Sequence, residues 1–440
     1  MKRKCDYLIE ASHIVTQDDE RRVIEDGALA IGDGTVLAVG KAAALRESWE
    51  AAETLSLGEA AVLPGLMNAH THIPMSALRG YSDDKNLMDW LHQDIFPIEA
   101  HLNPEIVRVA SAFSCAEMIR TGTTALYDMY MLEQSVFDAV DSMGLRAVVG
   151  ESVTRFFPSL AARDVEEAFD LIRAQAERWR ECPRIRQAIV PHAIYTTDSS
   201  FLRRCRELAD ETGALFGMHL SETEEETRDC LKAHGVRPVA YCRNLGLLRP
   251  DATFFHAVDV DEEDLDMLAE GGCALVHNPA SNMKLASGVS PLGRILKRGI
   301  GLGLGTDGPA SNNAQNMVRE MYVAALLQKV HTLDPTALSA QAALDMATRG
   351  GAAAFHLPGA GRLEPGCRAD LCAFDLTFPN MQPVHRVVSN IVYAATGFEN
   401  RLTMVDGRIL YHDGRYTTCD YEALLAEMRA IRCWMAEKRC

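Results

Sequence analysis

The sequence predicts an α/β fold: a distorted (β/α)8 barrel with a small β-sandwich domain assembled from both chain ends. Two observations lead to this prediction. A short apolar strand followed by an amphipathic helix recurs through the middle of the chain, and two strand-rich segments flank that middle. Strand–helix units in series close into a parallel barrel, whose chemistry lies at the carboxyl ends of its strands.

The two chain ends resemble each other in pattern. The first contains GALAIGDGTVLAVG, and the second contains NRLTMVDGRILYHDGRY. Short apolar runs separated by Gly and Asp are typical of antiparallel strands joined by tight turns. The predicted division of the chain is therefore 1–60 and 366–418 for the β-sandwich, 61–365 for the barrel and 419–440 for a C-terminal helix.

Eight apolar runs are candidates for the barrel strands, and amphipathic stretches such as 104–122 and 165–179 separate them. Apolar runs this short can belong to either strands or helices, so their flanking turn residues and the alternation with long helical stretches decide the assignment. The candidates are 61–70, 123–130, 146–152, 186–193, 214–222, 252–258, 273–279 and 299–308.

The net charge and the composition of the chain argue against some classes of binding partner. The 440-residue chain carries 44 basic and 61 acidic residues, a formal net charge of −17. An acidic surface repels polyphosphates, so nucleic acid and anionic membranes are not expected partners. No run of about 18 apolar residues predicts a membrane span, and no apolar segment follows the basic N-terminus to make a signal peptide. Twelve cysteines without a C-x-x-C pair indicate a reducing compartment, and we expect the cytoplasm.

Histidines and acids stand where the predicted strands end. His70 and His72 close the first strand, and residues two apart on a strand face the same side. The other residues at strand ends are His192, His219, His256, His277 and Asp307, with Glu222 just beyond the fifth strand. Any one of these histidines, His192 or His277 for example, can also be a buried structural side chain. Their recurrence at matching strand ends favours a shared site.

Three neutral imidazoles and one carboxylate are a suitable ligand set for Zn²⁺ that leaves room for water. His70, His72, His219 and Asp307 would form that set. Asp307 would also accept a proton from the water, and His256 would hold or polarise it. Glu222 is the candidate acid that protonates the substrate.

One divalent metal per chain is expected. Enzymes built this way often bridge two metals with a carboxylated lysine from a central strand, but this chain has no lysine between Lys85 and Lys232. The expected metal is zinc, with iron or manganese as alternatives, because cellular supply as well as affinity decides occupancy.

Four segments resemble the signature segments of the amidohydrolase superfamily. They are PGLMNAHTHIPMSALRG, MHLSETEEE, VHNPASNMKLASG and LGTDGPASNN, and the resemblance runs from about residue 5 to about residue 415. Within the superfamily they are similar to the 5′-methylthioadenosine/S-adenosylhomocysteine deaminases. The resemblance implies hydrolytic deamination of an adenine nucleoside to the inosine analogue and ammonia. It also implies metal ligation by His70, His72, His219 and Asp307, proton donation by Glu222 and assistance by His256.

The resemblance also implies the substrate contacts. DWLHQDIFPIEAHL corresponds to the segment in which Trp90 borders the base and Glu99 binds the ribose hydroxyls. A carboxylate suits a vicinal diol because it accepts hydrogen bonds from both hydroxyls, although Glu99 can also be a solvated charge on a helix. PHAIY supplies His192, another expected substrate residue.

The resemblance also bears on the contacts to the 5′ substituent. Arg163 matches a family arginine that contacts this tail, with Arg155 as the alternative. Glu151 stands where family members often carry another arginine. A carboxylate there would repel the homocysteine tail of S-adenosylhomocysteine. We therefore expect 5′-methylthioadenosine, 5′-deoxyadenosine or adenosine to be preferred.

Two alternatives stay open at this point. The chain can be an aminohydrolase or chlorohydrolase of another ring, such as guanine, a pterin or a triazine. It can also be a catalytically silent metal-binding relative. The expected partner is a small nucleoside, and a homo-oligomer is a family-level expectation only.

Overall fold

The computed structural model describes residues 2–155 and 160–438. The described chain opens with five strands and one helix: Arg3–Val15 (β1), Val23–Gly32 (β2), Thr35–Lys41 (β3), Ala42–Ser48 (α1), Trp49–Ser56 (β4) and Ala60–Pro64 (β5). β1 and β2 pair antiparallel from Tyr7↔Ile31 to Val15↔Val23. Asp33 and Gly34, both with positive φ, form the tight turn between β2 and β3.

In the described residues the barrel has eight strands that neighbour one another in chain order. They are Leu66–Thr71 (β6), Thr123–Tyr130 (β7), Arg146–Val153 (β8), Ile185–Pro191 (β9), Leu215–Leu220 (β10), Ala252–His256 (β11), Ala274–His277 (β12) and Gly301–Leu304 (β13). The fold and the order of strands predicted from the sequence are confirmed. β6 and β13 are the two ends of this sheet, and the Asp307 N–H beyond β13 donates a 2.9 Å hydrogen bond to the His70 carbonyl on β6.

The run 61–70, expected to be one barrel strand, is two strands in different sheets. β5 pairs with Leu371–Asp375 (β14) of the terminal sheet, and the barrel begins only at β6. Gly65 separates them, where a Cβ atom would lie 2.1 Å from the Thr124 side chain. A continuous apolar run is also what two consecutive buried strands produce, so periodicity does not distinguish the two cases.

Helices surround the barrel. They are Leu87–Trp90 (α2), Phe96–Glu99 (α3), Pro104–Arg120 (α4), Glu133–Met143 (α5), Val165–Trp179 (α6), Ser199–Thr212 (α7), Glu224–His234 (α8), Pro238–Asn244 (α9), Glu262–Gly271 (α10), Pro279–Lys284 (α11), Leu292–Lys297 (α12), Met317–Thr332 (α13), Ala340–Asp345 (α14), Gly351–Ala354 (α15) and Val387–Tyr393 (α16). A π-helical turn, Leu91–Ile95, joins α2 to α3, and another, Met346–Gly350, joins α14 to α15. No helix in the described ranges is both long enough and apolar enough to cross a membrane.

The strands of the barrel alternate between two cores. Ala125, Tyr127 and Met129 of β7 lie in the core that fills the barrel. Leu126 and Tyr130 of the same strand pack instead with the surrounding helices. This alternation follows from the two-residue period of a strand, and it decides which side chains can reach a site in the barrel mouth.

The C-terminal part of the chain completes the terminal sheet. Its remaining strands are Asn400–Val405 (β15), Arg408–His412 (β16) and Arg415–Tyr416 (β17), and a last helix spans Tyr421–Lys438 (α17). The sheet has the order β17-β16-β15-β14-β5-β1-β2-β3, with β4 also on β1. Ile9, Leu29, Leu371 and Met404, which come from both chain ends, share one apolar core. The exact boundaries of the predicted domains stay predictions, and residues 439–440 lie outside the described chain.

Candidate active site

Four of the predicted residues converge at one end of the barrel. His70 and His72 lie at the end of β6, His219 on β10 and Asp307 just beyond β13. Nε2 of His70 is 3.2 Å from Nε2 of His219. Oδ1 of Asp307 is 3.1 Å from Nε2 of His72 and 3.4 Å from Nε2 of His70. Donor atoms of the three histidines lie within 4.8 Å of one another, close enough to share one cation.

Backbone carbonyls set the tautomers of two of these imidazoles. Nδ1 of His219 is 2.9 Å from the His192 carbonyl, and Nδ1 of His72 contacts the Met129 carbonyl. Because a carbonyl only accepts, each ring carries a proton on Nδ1, and the neutral His219 ring directs the lone pair of its Nε2 towards the group. Burial lowers the pKa of His70 to about 3 and the pKa of His219 well below its usual value. His70 and His219 are therefore neutral at pH 7 and available as ligands. Burial also acts to lower the pKa of His72, but the hydrogen bond and the charge of Asp307 outweigh it and raise that pKa.

His256 differs from the other histidines of the group. Amide nitrogens of Asn282 and Asn278 lie 3.0 and 3.4 Å from its Nδ1. An amide nitrogen only donates, so the proton of the neutral ring lies on Nε2. That atom is 3.8 Å from Oε2 of Glu222. Although His70, His256 and Asp307 also bring one donor atom each within 4.8 Å of one another, His256 in this tautomer presents a hydrogen-bond donor from Nε2.

The pKa values of the two acids of the group are shifted in opposite directions. Burial, then the charges of Asp307 and Glu226, raise the pKa of Glu222 well above its usual value. Burial also acts to raise the pKa of Asp307, but hydrogen bonds with His70 and His72 outweigh it and hold that pKa well below the usual range. Burial thus favours the protonated form of Glu222, whereas the two imidazoles favour the ionised form of Asp307. Environments that separate two pKa values in this way divide an acid role from a base role.

Side-chain hydrogen bonds orient Asp307. Ser281 Oγ donates to its Oδ2 at 2.6 Å, and the Gly308 N–H donates to its Oδ1 at 2.8 Å. Gln315 donates from Nε2 to its backbone carbonyl at 3.1 Å. Asp307 has a φ of 61°, an uncommon conformation for a residue other than glycine, and these bonds hold it there.

Glu99 lies beside this group and is buried. The Tyr130 hydroxyl donates to its Oε1, and the Tyr130 ring is 6.2 Å from the His72 ring. Burial raises the pKa of Glu99 to about 7. Trp90 is also buried, with its indole N–H donating to the Ser82 carbonyl at 3.3 Å. Glu99 is therefore not the solvated helix charge that the sequence left open.

His192 adjoins the group through His219, with their ring centroids 4.9 Å apart. Its Nδ1 is 3.1 Å from Thr196 Oγ1. The Arg155 N–H donates to the Thr196 carbonyl at 3.1 Å, and its side chain pairs with Asp198. Arg163 is 88% exposed and pairs with Glu167 on its own segment at 2.9 Å. Among the contacts of the described residues, Arg155 is linked to the segment that follows His192, and Arg163 is not.

The expectation that Glu151 faces the substrate tail is wrong. Its side chain is fully buried, and its two oxygens accept hydrogen bonds from the N–H groups of Leu132 and Glu133 at 3.0 and 2.9 Å. It therefore caps the first turn of α5. The neighbouring Val149 and Val153 pack towards the helices, and Glu151 shares their side of β8. The argument against S-adenosylhomocysteine falls with this expectation.

His277 lies outside the group, although it ends β12. It is fully buried, and neither ring nitrogen has a hydrogen-bond partner in the described part of the chain. Burial lowers its pKa to about 3. Of the two roles left open for His277, the structure favours the buried structural one.

Sequence reasoning missed Ser281 and Asn282, which orient Asp307 and His256. Both lie in VHNPASNMKLASG, directly after a strand end, and that position was an available signal. Both residues lie on the short helix α11, and their contacts with Asp307 and His256 are between segments 26 residues apart in sequence. Tyr130 was missed for a related reason, because its partner Glu99 is 31 residues away in sequence.

Comparison with known proteins adds to this geometry. The family model of the amidohydrolase family matches residues 61–410. A 5-methylthioadenosine/S-adenosylhomocysteine deaminase of Nitratidesulfovibrio vulgaris (strain Miyazaki F) is 54% identical over 438 residues, covering 100% of this chain and 99% of its own. An adenosine deaminase from Xanthomonas campestris, solved with bound zinc, is 36% identical with a TM-score of 0.96, over 99% of this chain and 100% of its own.

A more distant structure shares the fold alone. It is the atrazine chlorohydrolase from Arthrobacter aurescens, solved with zinc, at 23% identity and a TM-score of 0.90 over 97% of this chain and 100% of its own. At that identity the likeness does not extend to the reaction.

Proposed function

The chain belongs to the amidohydrolase family, and on that premise we propose that it hydrolyses the exocyclic C–N bond of an adenine nucleoside, giving the inosine analogue and ammonia. It is a metal-dependent hydrolytic deaminase of the 5-methylthioadenosine/S-adenosylhomocysteine deaminase group. The candidate substrates are 5′-methylthioadenosine, S-adenosylhomocysteine, 5′-deoxyadenosine and adenosine. Neither a triazine or guanine substrate nor a silent relative is favoured, because curated relatives 49–54% identical over nearly the full chain carry the deaminase name.

The observation that carries the proposal is the convergence of His70, His72, His219 and Asp307 at one end of the barrel, with Glu222 nearby, 3.8 Å from His256. The pKa of Glu222 is raised and that of Asp307 is lowered, so the first favours an acid and the second a carboxylate. Deamination requires a proton to reach the ring as water adds, and another to reach the leaving amino group. A buried carboxylic acid and a buried carboxylate in one site meet those two needs.

The donor set fits a divalent cation. Nε2 atoms of His70 and His219 face each other at 3.2 Å, and the His219 lone pair points into that gap, so a cation there relieves the repulsion between donors. His72 and Asp307 complete the proposed set. When bound, the ion polarises a water molecule and favours its ionised form near neutral pH. We propose one ion per chain, zinc with iron or manganese as alternatives, and the zinc of the Xanthomonas structure supports that choice.

The proposed proton path uses three side chains. Glu222 donates its carboxyl proton to a ring nitrogen next to the carbon that water attacks. Asp307 accepts the proton that water loses and returns it to the amino group, which leaves as ammonia when the C–N bond breaks. The added hydroxyl then gives its proton back to Glu222 as the product carbonyl forms. His256 donates a hydrogen bond from Nε2 to the attacking oxygen, because its Nδ1 already accepts from Asn282.

Four further residues are proposed to bind the substrate. Trp90 borders the base, and Glu99 accepts hydrogen bonds from the ribose hydroxyls. His192 contacts the nucleoside beside His219. Arg163, or Arg155 in its place, approaches the 5′ substituent. The link between Arg155 and the segment after His192 supports the second choice.

A deamination screen tests the function. The purified enzyme would be assayed for ammonia release and for the adenosine-to-inosine absorbance change on the four candidate substrates, with guanine and a triazine as negative controls. We expect turnover of adenine nucleosides only. Turnover of guanine or a triazine, with adenine nucleosides inert, would refute the proposal.

The cytoplasm is the proposed location. The eleven cysteines among the described residues are all unpaired thiols, which supports a reducing compartment.

A further inference from the structure

The turn that carries Glu222 has an unusual backbone. β10 ends at Leu220 and α8 begins at Glu224, so only three residues join the strand to the helix. Ser221 has a φ of 52°, in the left-handed region that residues other than glycine rarely adopt. A conformation of this kind persists only where surrounding contacts hold it.

A second buried glutamate supplies those contacts. Oε1 of Glu226 accepts from the Ser221 N–H at 3.1 Å, and Oε2 accepts from the Glu222 N–H at 2.8 Å. Only 6% of Glu226 is exposed. Each oxygen of one carboxylate therefore satisfies one of the two amides that the turn leaves unpaired.

This arrangement is a shifted form of a common helix start. Thr223 is the N-cap of α8, and its Oγ1 accepts from the Glu226 N–H at 3.1 Å. In the usual capping box a glutamate at this position reaches back to the N–H of the cap residue itself. Glu226 instead reaches one and two residues farther back. The glutamate that normally caps the start of a helix here stabilises the turn that precedes the helix.

Hydrogen bonds also join this turn to the segment that follows His256. The Ser221 carbonyl accepts from the N–H groups of Val258 and Asp259 at 2.9 and 3.0 Å. These bonds bring the Glu222 carboxyl to 3.8 Å from Nε2 of His256. Glu226 is the remaining support on the helix side of the turn.

We propose that Glu226 is a positioning residue for the proton donor, whose carboxylate fixes the turn that presents Glu222 to the substrate ring. The inference rests on the proposed function, because it takes Glu222 to be the acid. Glu226 also acts through charge. In its ionised form it is, after burial and Asp307, the next cause that raises the pKa of Glu222 and so favours the protonated acid.

Glu226→Gln tests the proposal, with Glu224→Gln and Glu225→Gln as controls. All three residues lie in the first turn of α8, but Glu224 and Glu225 are exposed. In the variant an amide NH₂ group faces a backbone N–H, so one acceptor is lost with almost no change of shape. General acids contribute about 10²- to 10⁴-fold, and partial misplacement is expected to lower kcat about 10- to 100-fold. KM should stay within about twofold and the metal content unchanged. The controls should match wild type.

Hydrogen exchange measured by mass spectrometry gives a second readout that needs no activity. Amides of Ser221 and Glu222 should exchange faster in Glu226→Gln while the rest of the chain is unchanged. If the wild-type enzyme deaminates no adenine nucleoside, the proposed function fails, and faster exchange still supports the positioning role.

Glu226→Asp separates the effect of geometry from the effect of charge. It is also the variant to test if Glu226→Gln does not fold. It keeps the carboxylate but is one methylene too short to reach both amides, so it should lower kcat to a similar extent. A kcat within about twofold of wild type in the folded variants would overturn the proposal. Unchanged exchange at residues 221–222, or loss of metal in parallel with kcat, would do the same.

Discussion

The hydroxyl of Tyr130 donates a 2.5 Å hydrogen bond to Oε1 of Glu99, and both side chains are buried. Burial raises the pKa of Glu99 to about 7, and the bond from Tyr130 opposes that rise. Tyr130 thus favours the ionised form of Glu99, the form that accepts hydrogen bonds from a diol. It occupies one acceptor site and leaves Oε2 and the second lone pair of Oε1.

The first prediction concerns the ribose. Wild-type enzyme should act on 2′-deoxyadenosine about 5- to 150-fold less efficiently in kcat/KM than on adenosine, because a buried acceptor then loses a donor. Glu99→Ala should lose most of that discrimination. Tyr130→Phe should weaken it, with Tyr322→Phe, an exposed tyrosine, as the control. Equal efficiency of wild type on the two nucleosides would rule out the role of Glu99.

The second prediction concerns the metal. Elemental analysis of enzyme purified without added metal should give about one equivalent of divalent ion per chain, because one set of four ligands is available. His219→Ala should lose the ion together with activity. His101→Ala, which changes an exposed histidine, should keep both. Two tightly held equivalents in the wild type would contradict the assignment.

The third prediction separates the acid from the ligands. Glu222→Gln should lower kcat about 10²- to 10⁴-fold because it removes the carboxyl proton from the site. Its metal content should equal that of the wild type, since Glu222 is not a proposed ligand. A variant that keeps more than about a third of the wild-type rate would exclude Glu222 from the mechanism.

The fourth prediction follows from the correction of Glu151. Glu151→Gln should lower the free energy of unfolding by about 1–3 kcal/mol, because one capping acceptor at the start of α5 is lost. Denaturant unfolding measures this, with the exposed Glu105→Gln as control. The ratio of kcat/KM for S-adenosylhomocysteine and 5′-methylthioadenosine should not change. A changed ratio together with an unchanged free energy of unfolding would show that Glu151 acts at the substrate site.

The fifth prediction concerns pH and stability. His277 has a pKa of about 3 in the folded chain, whereas an unfolded histidine has a pKa of about 6.5. Below about pH 6.5 the unfolded state binds the extra proton, so folded stability is present above that pH and falls as the pH drops towards 3. Between pH 7.5 and 5.5 protonation of this one histidine in the unfolded state lowers the free energy of unfolding by about 1.4 kcal/mol. Over the same interval the free energy of unfolding of His277→Gln, measured with denaturant, should fall by about that much less than the wild-type value. Identical pH dependence in the two proteins would show that His277 is protonated or paired.

The sequence by itself determined the barrel fold and several of the residues that meet at the mouth of the barrel. Eight strands in chain order, and the clustering of His70, His219 and Asp307, were predicted without knowledge of any contact. The physical reason is topological. In a parallel barrel every strand ends at the same rim, so residues just at or beyond the strand ends are near one another, although the side-chain direction of each still decides whether it joins the site, as His277 shows.

Only the tertiary structure decided what depends on side-chain direction and on contacts between distant segments. Successive side chains on β8 point alternately into the barrel and towards the surrounding helices. Glu151 points towards the helices and caps the start of α5. The tautomer of His256 depends on Asn282, and the backbone of Glu222 depends on a carboxylate that reaches back past its own cap residue. Hydrogen bonds are short-ranged and directional, so their partners are fixed only when the chain is folded.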